Sequence, residues 1–407
     1  MKQRNTTYLT VISVLTLIAI FNLPLVTSYW SGDDWPNSQT PYWIFWRYGE
    51  VNFHEILRES NFWIEQWIKG VGRFYPLAFY ESRFVFSLFQ SVFEYKLFQF
   101  LVTLTMNILL SLFVWRLTKL KSISVLSFLI FNFVAQYRVD FDPHLGFSLL
   151  MQSIIIKILL SEICFHYSLQ LKKKTIKLTL AILGSIMLFL AFCTYEYAFS
   201  IALFPLLPVI WSLRKTKVNL KNFISSFRIV ILSFWCFAVV SYFYIVFFFL
   251  RPKAQDISGA YVLGLSWQSL KVFFINLTAG LPFVGSTNIG WSNLNLNFLL
   301  IIILIFTFGF VLNNIYSLDA TSKILKRAKD KSFNEVQLNM KENTWLFFLI
   351  FVIFTIGPSF ILALQEVWWN RIGFGKSYLG VLIQEIGLGF AIISFLNHNL
   401  ARFIKQL

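Results

Sequence analysis

Two adjacent carboxylates, Asp33 and Asp34, stand in the segment SGDDW directly after an apolar run. Neighbouring carboxylates at a membrane surface repel each other in a medium of reduced dielectric, which raises at least one pKa and suits proton abstraction from a hydroxyl. The same residues also suit a turn and a helix N-cap, since Pro36 follows. A second acidic group, Asp140 and Asp142 with His144, forms DFDPH. D-x-D on an extended stretch puts both carboxylates on one side, where they could hold a divalent cation or orient a substrate; a solvated loop accounts for them equally well. Glu196, in CTYEYAF, is isolated between two apolar stretches. An ionisable group at a span centre costs roughly 2.5–3.5 kcal/mol on insertion scales, so Glu196 calls for a compensating role.

Cations complete the set: Arg73 in GVGRFYP, Arg251 and Lys253 in LRPK, and Arg371 and Lys376 in WNRIGFGKSY. A cation at a bilayer surface can clamp a lipid phosphate, Arg bidentately, or simply meet anionic headgroups. Lys157, Glu162 and His166 share one apolar stretch. They are expected to pair between helices or snorkel near its inner end.

The elements that must position these groups follow from composition. Of the residues, 57% are hydrophobic and 13% charged, and the mean hydropathy is +0.66. A soluble domain carries roughly 25% charged residues, so a soluble body is excluded. The apolar residues form about ten blocks of spanning length, near 8–27, 94–117, 122–139, 145–168, 177–194, 197–213, 224–250, 293–316, 345–364 and 379–399. The expectation is an all-α, polytopic membrane protein with one transmembrane domain over 1–407. Long connections are expected over 28–93 and 251–292, and a polar, charged one over 317–344. The apolar run after MKQRNTTY is too long for a signal peptide and reads as a retained first span.

The net charge of +16 does not mark a nucleic-acid surface, because the basic residues cluster in short connections without a stripe of interleaved aromatics. With the N-terminus inside, the cytoplasmic segments hold 22 basic and 4 acidic residues, and the outer segments 12 and 13. This obeys the positive-inside rule, with both termini cytoplasmic and the acids on the opposite face. Cys164, Cys193 and Cys236 lie in or beside apolar spans without CxxC spacing, supporting neither a disulfide framework nor a zinc site.

In the first long connection, Trp43, Trp46, Phe53, Phe62, Trp63 and Trp67 alternate with charged residues at helical spacing. Amphipathic helices lying in the interface are expected, in preference to a separate small domain with little core of its own. Residues 269–292 are apolar but broken by Gly280, Pro282, Gly285 and Gly290, which predicts a re-entrant segment.

The first span with SGDDW, the interfacial loop, and GRFYP before the second span resemble the GT-C glycosyltransferases. These are multi-span enzymes that take sugar from polyprenyl-phosphate carriers. Within that superfamily the chain is similar to phage-encoded serotype-converting O-antigen glucosyltransferases. The layout covers the whole chain; the motif match covers 31–35 and 72–76, with weaker echoes in TYE and GFGKSYL. The resemblance implies that Asp33 or Asp34 is the general base and that the anomeric centre inverts as the lipid phosphate leaves. The sugar is glucose by the same resemblance, the acceptor a lipid-linked glycan such as O-antigen, and the location a bacterial inner membrane with a periplasmic active site. Relatives with pyrophosphate donors hold a divalent metal, for which Asp142 and Glu196 would be the matching acids; no metal is assigned, since a monophosphate carrier needs less neutralisation. The short tail after the last span disfavours a protein acceptor.

Two other classes compete. A flippase or transporter for lipid-linked glycans should carry ionisable groups along its spans at several depths. A polymerase should show an Arg-rich late outer loop, and an acyltransferase a catalytic His; His144 and His54 are the outer histidines.

Overall fold

The structure is a computed structural model. It describes residues 2–135, 143–146, 149–210, 227–250, 252, 254, 264–281, 333–366, 369–370 and 380–406. The chain is a helical, multi-pass membrane protein. Among the described residues there is no strand, and six helices are long and apolar enough to cross a bilayer: Val92–Thr118, Leu150–Gln170, Lys174–Thr194, Phe227–Leu250, Glu342–Leu364 and Val381–Asn399. Shorter apolar helices occupy Ser13–Thr27, Ile123–Val134 and Glu196–Ile210. The expected eighth span, 293–316, lies outside the described residues, as does most of 251–292.

The chain starts with α1 (Lys2–Thr27). Asn22 on it donates to Asn132 at 3.0 Å, a buried amide pair that joins α1 to α7 (Lys121–Val134). Side-chain hydrogen bonds between helices serve in lipid where the hydrophobic effect does not drive association. The first connection folds into four helices, α2 (Asp34–Ser38), α3 (Thr40–Tyr48), α4 (Phe53–Val71) and α5 (Pro76–Leu88). Tyr42, Trp43, Phe45 and Trp46 on α3 are exposed. The loop has its own polar skeleton. Arg47 of α3 pairs with Glu59 of α4 at 2.8 Å, Trp63 donates to the same carboxylate at 2.8 Å, and Arg83 of α5 donates to Thr40.

Helices α6 (Val92–Thr118) and α7 form a hairpin, as do α8 (Leu150–Gln170) and α9 (Lys174–Thr194). A capping box opens α6: Ser91 accepts from Glu94 N–H, and Glu94 reaches back to Ser91 N–H. Farther along the described chain come α10 (Phe227–Tyr244), a π-helical turn over Ile245–Leu250, and α11 (Trp267–Leu277). The last elements are α12 (Phe333–Leu364) and α13 (Val381–Gln406).

Three expectations change. The sixth span is not a regular α-helix where it is described: Glu196–Ile201 and Phe204–Leu206 wind as 3₁₀ turns. Pro205 and Pro208 supply no N–H to an α-helical ladder, which gives the physical reason. The third span, expected to 139, stops as a helix at Val134, and the fourth, expected from 145, begins at Leu150 after a turn over 143–146. Lys157, for which pairing between helices and snorkelling were both open, pairs with Glu81 on α5.

The core is aromatic. Phe390 of α13 meets Phe131 of α7 at 5.2 Å, Phe113 of α6 at 5.9 Å and Phe354 of α12 at 6.0 Å, and Phe204 bridges Phe113 and Phe354. Glycines allow this approach: a Cβ on Gly389 would strike the Phe131 ring, one on Gly387 the Cβ of Phe354, and one on Gly357 the Ser200 carbonyl. Gly357→Ala is therefore expected to destabilise the solubilised protein by about 1–3 kcal/mol. Gly70→Ala, in open space on α4, should be neutral or stabilising. Thermal unfolding in detergent measures both, and equal midpoints for the two variants would contradict the packing described.

Candidate functional site

The GRFYP segment owes its geometry to Gly72. It takes φ +70° as the left-handed cap of α4, where a side chain would be strained, and turns the chain so that Pro76 can open α5. Arg73, in the bend, points to the turn after α9. Its guanidinium forms an ion pair with Glu196, donates to Tyr195 Oη at 2.9 Å and lies over the rings of Tyr75 (4.8 Å) and Tyr195 (5.2 Å). Both charged groups are nearly buried, at 13% and 11% side-chain exposure, so each supplies the compensation the other requires. Glu196 Oε2 is buried and has no hydrogen-bond partner among the described residues.

A second charged cluster sits beneath α5. Lys157 of α8 pairs with Glu81, bonds to Ser153 and donates to Thr194 at 2.8 Å, while Ser153 donates to the other oxygen of Glu81 at 2.6 Å. One face of α5 is thus held to α8 and to the end of α9.

At the far end of α5 lies the acidic motif. Gly32 has φ +54° and lets the chain turn into α2 immediately after α1. Asp34 is wholly buried and accepts from Tyr95 Oη at 2.6 Å; Tyr95 stacks on Phe86 of α5 at 4.7 Å and lies 5.0 Å from Trp30. Asp34 therefore anchors the motif to α6. Asp33 differs in every respect: it is exposed, stands at the N-cap position of α2, and makes no capping hydrogen bond. The surrounding protein displaces enough water to raise its pKa above the usual carboxylate value. Two exposed rings, Tyr29 and Trp35, stand 6.3 Å apart on either side of it in sequence. Between the two ends, Arg83 is buried against Asn37 and Thr40, and desolvation lowers its pKa to about 10.

Of the residues singled out in the sequence, Arg73 and Glu196 meet, and Asp33 and Asp34 share a turn but not an environment. The two groups lie against opposite ends of α5: Tyr75 and Phe86 mark those ends and are separated by roughly 15 Å of helix. His144 is not at a rim; it is 2% exposed and hydrogen-bonded to Glu385 of α13 at 2.6 Å. Asp140, Asp142, Arg251, Lys253, Arg371 and Lys376 lie outside the described residues. Among the described residues no three His, Cys, Asp or Glu side chains converge as metal ligands. Sequence reasoning missed Glu81, Tyr95, Tyr195 and Glu385 as partners. Glu385 carried a usable signal, being a lone acid inside an apolar span; the two tyrosines carried none among so many aromatics.

Breaking one half of a buried ion pair leaves an uncompensated charge and costs about 3–5 kcal/mol. Arg73→Met and Glu196→Gln should each destabilise on that scale, while the double variant should lose much less than the sum. Chemical unfolding of the four proteins tests this, and strict additivity would show that the pair is not coupled.

Compared with protein-family models, curated proteins and solved structures, the chain matches none.

Proposed function

We propose that this protein is an inverting glycosyltransferase of the membrane, moving a sugar from a polyprenyl-phosphate carrier to a lipid-linked glycan. The observation that carries the reading is Asp33: an exposed carboxylate directly after the first span that caps no helix and whose basicity is raised by its surroundings. A carboxylate with no structural work, placed where a lipid headgroup lies, is suited to take the proton of an acceptor hydroxyl. The hydroxyl oxygen then bonds to the anomeric carbon from the face opposite the carrier, the bond from that carbon to the phosphate oxygen breaks, and the lipid phosphate departs with the electron pair. Tyr29 and Trp35 offer apolar faces against which a sugar ring can lie.

The length of α5 redistributes the other roles. A separation of roughly 15 Å exceeds one sugar ring, so Arg73 and Glu196 serve to latch the first loop onto the bundle. The donor phosphate is assigned to the cations of the later loops, Arg251, Lys253, Arg371 and Lys376. Asp34 holds Asp33 in place through Tyr95. Ten spans, cytoplasmic termini, a periplasmic site in a bacterial inner membrane, glucose as the sugar and O-antigen as the acceptor complete the proposal; the charge bias of the connections and the resemblance support them.

A second reading, a flippase for a lipid-linked intermediate, is favoured by the charged groups inside the bundle at several depths, namely Lys157, Glu162, His144 and Glu385. Each of these is held in a pair with another protein group, which leaves the enzyme reading ahead.

Sugar transfer from a polyprenyl-phosphate donor by the purified protein separates the readings. Asp33→Asn should lose about 10²–10⁴-fold in rate with an unchanged unfolding midpoint, whereas Asp34→Asn should lower the yield of folded protein. Since a base acts only when deprotonated, the raised Asp33 pKa should shift the acid limb of the rate profile to higher pH than an ordinary carboxylate near 4 would give. Full activity in Asp33→Asn would remove the base, and donor translocation that survives this substitution without any transfer would select the flippase.

A further inference from the structure

Helices α3, α4 and α5 bring two guanidinium groups and one carboxylate together. The carboxylate, that of Glu59, is buried and spends both oxygens, one on Arg47 and one on the Trp63 indole N–H, each at 2.8 Å. Arg83 approaches the same indole, its guanidinium 5.7 Å from the ring centre, and Arg47 lies 4.3 Å from the centre of the neighbouring Phe62 ring. Arg83 is buried and, among the described residues, forms no ion pair: its hydrogen bonds go to the neutral oxygens of Asn37 and Thr40, and its Nε has no partner. The other carboxylates of this connection do not supply the missing charge. Asp34 is bound to Tyr95, Glu55 to His54 and Arg58, Glu65 to Lys69 and Glu81 to Lys157, while Asp33 and Glu50 are exposed and make no ion pair among the described residues. One unit of positive charge is left over in a half-buried setting, where neutral hydrogen bonds return less than the lost hydration of an ion costs.

We propose that this excess charge holds the headgroup phosphate of an anionic phospholipid, with Arg47 in contact and Arg83 adding its charge from within the protein. Three observations select that occupant. The leftover charge calls for an anion, which a water molecule cannot replace. Arg47 is the member a ligand can reach: its side chain is 30% exposed, and its planar fork keeps N–H donors beyond the one given to Glu59. Such a fork matches the oxygens of a phosphate. Third, α3 carries the exposed rings of Tyr42, Trp43, Phe45 and Trp46 on the residues that lead to Arg47. Aromatic side chains gather at headgroup depth, and there they set Arg47 level with lipid phosphates. A soluble anion has no use for those rings, and an uncharged sugar has none for the cations. The site does not depend on the glycosyltransferase reading, which gives neither arginine a role.

The experiment is thermal unfolding of the purified protein in an uncharged detergent at constant ionic strength, titrated with dioleoyl phosphatidylglycerol, dioleoyl phosphatidylcholine or inorganic phosphate. A ligand that binds only the folded state raises the midpoint saturably. The expected result is a saturable rise with phosphatidylglycerol and little or none with the other two. In Arg47→Gln the half-saturating mole fraction of phosphatidylglycerol should increase about tenfold, the loss of about 1.4 kcal/mol of binding. Arg83→Met, which keeps most of the length and removes the buried charge, should weaken the response in the same direction. Lys69→Gln, at an exposed cation paired with Glu65 outside the cluster, should leave it unchanged. Native mass spectrometry, counting the phosphatidylglycerol retained per chain, reads the site without unfolding and serves for a variant of low stability. Equal rises with phosphatidylglycerol and phosphatidylcholine would show that the charge selects nothing and overturn the proposal. So would a phosphatidylglycerol response that is unchanged in both arginine variants. A rise with inorganic phosphate as large as that with phosphatidylglycerol would assign the site to a free anion and overturn the lipid.

Discussion

A charge removed from water must meet its opposite or a set of hydrogen-bond partners, and this requirement organises the described molecule. Arg73 meets Glu196, Lys157 meets Glu81, Arg116 meets Glu162, His144 meets Glu385, and the buried carboxylate of Asp34 receives the Tyr95 hydroxyl. Each of these contacts joins segments far apart in the chain. In a soluble protein a stray polar group can turn to solvent, but in hydrocarbon the penalty for a single unpaired ion rivals the stability of a domain. The pairs therefore specify which helices are neighbours, while the apolar surface that surrounds them specifies little, since lipid tails satisfy it as well as another helix does.

Helix α5 is where this requirement touches the proposed site. It is short, lies in the first connection, and carries on its length Glu81 for the bundle, Arg83 for α2 and α3, and Phe86 for Tyr95. Its N-terminal end abuts the Arg73–Glu196 pair, and its C-terminal end abuts the acidic motif. The result is a loop held on the bundle at several points, and the carboxylate of Asp33 stands outside those contacts. The proposed general base would need this combination, since a fixed backbone sets its direction and an uncommitted side chain keeps its oxygen available.

Below the loop the bundle is tightened by a different device. Phe390 reaches rings on three other segments because Gly387 and Gly389 bring α13 close to α12 and α7. Close backbone approach with a small residue on one side is how helices gain dispersion energy in lipid. A cavity lined by Thr103, Asn107, His144 and Glu385 interrupts that packing between α6 and α13.

Much of this was legible in the residues. Low charge content, apolar blocks of spanning length and basic connections identify a helical membrane protein, because a hydrocarbon solvent admits few other solutions. The helical spacing of tryptophans and charges in residues 40–69 marks helices there, and α3 and α4 occupy them. Isolated ions such as Glu196 and Lys157 announced that they needed partners. Which partners they would find, a sequence pattern does not encode: Arg73 and Glu196 are 123 positions apart, and His144 and Glu385 are 241 apart. The division of labour between Asp33 and Asp34 was likewise invisible, as two identical neighbours differ only in what surrounds them. Tertiary structure decided it by placing Tyr95 against one carboxylate and leaving the other in the open. Local chemistry and periodicity act over a few residues and are written in order along the chain. Pairing of buried charges acts through space, and only the folded chain brings the two members to the same place.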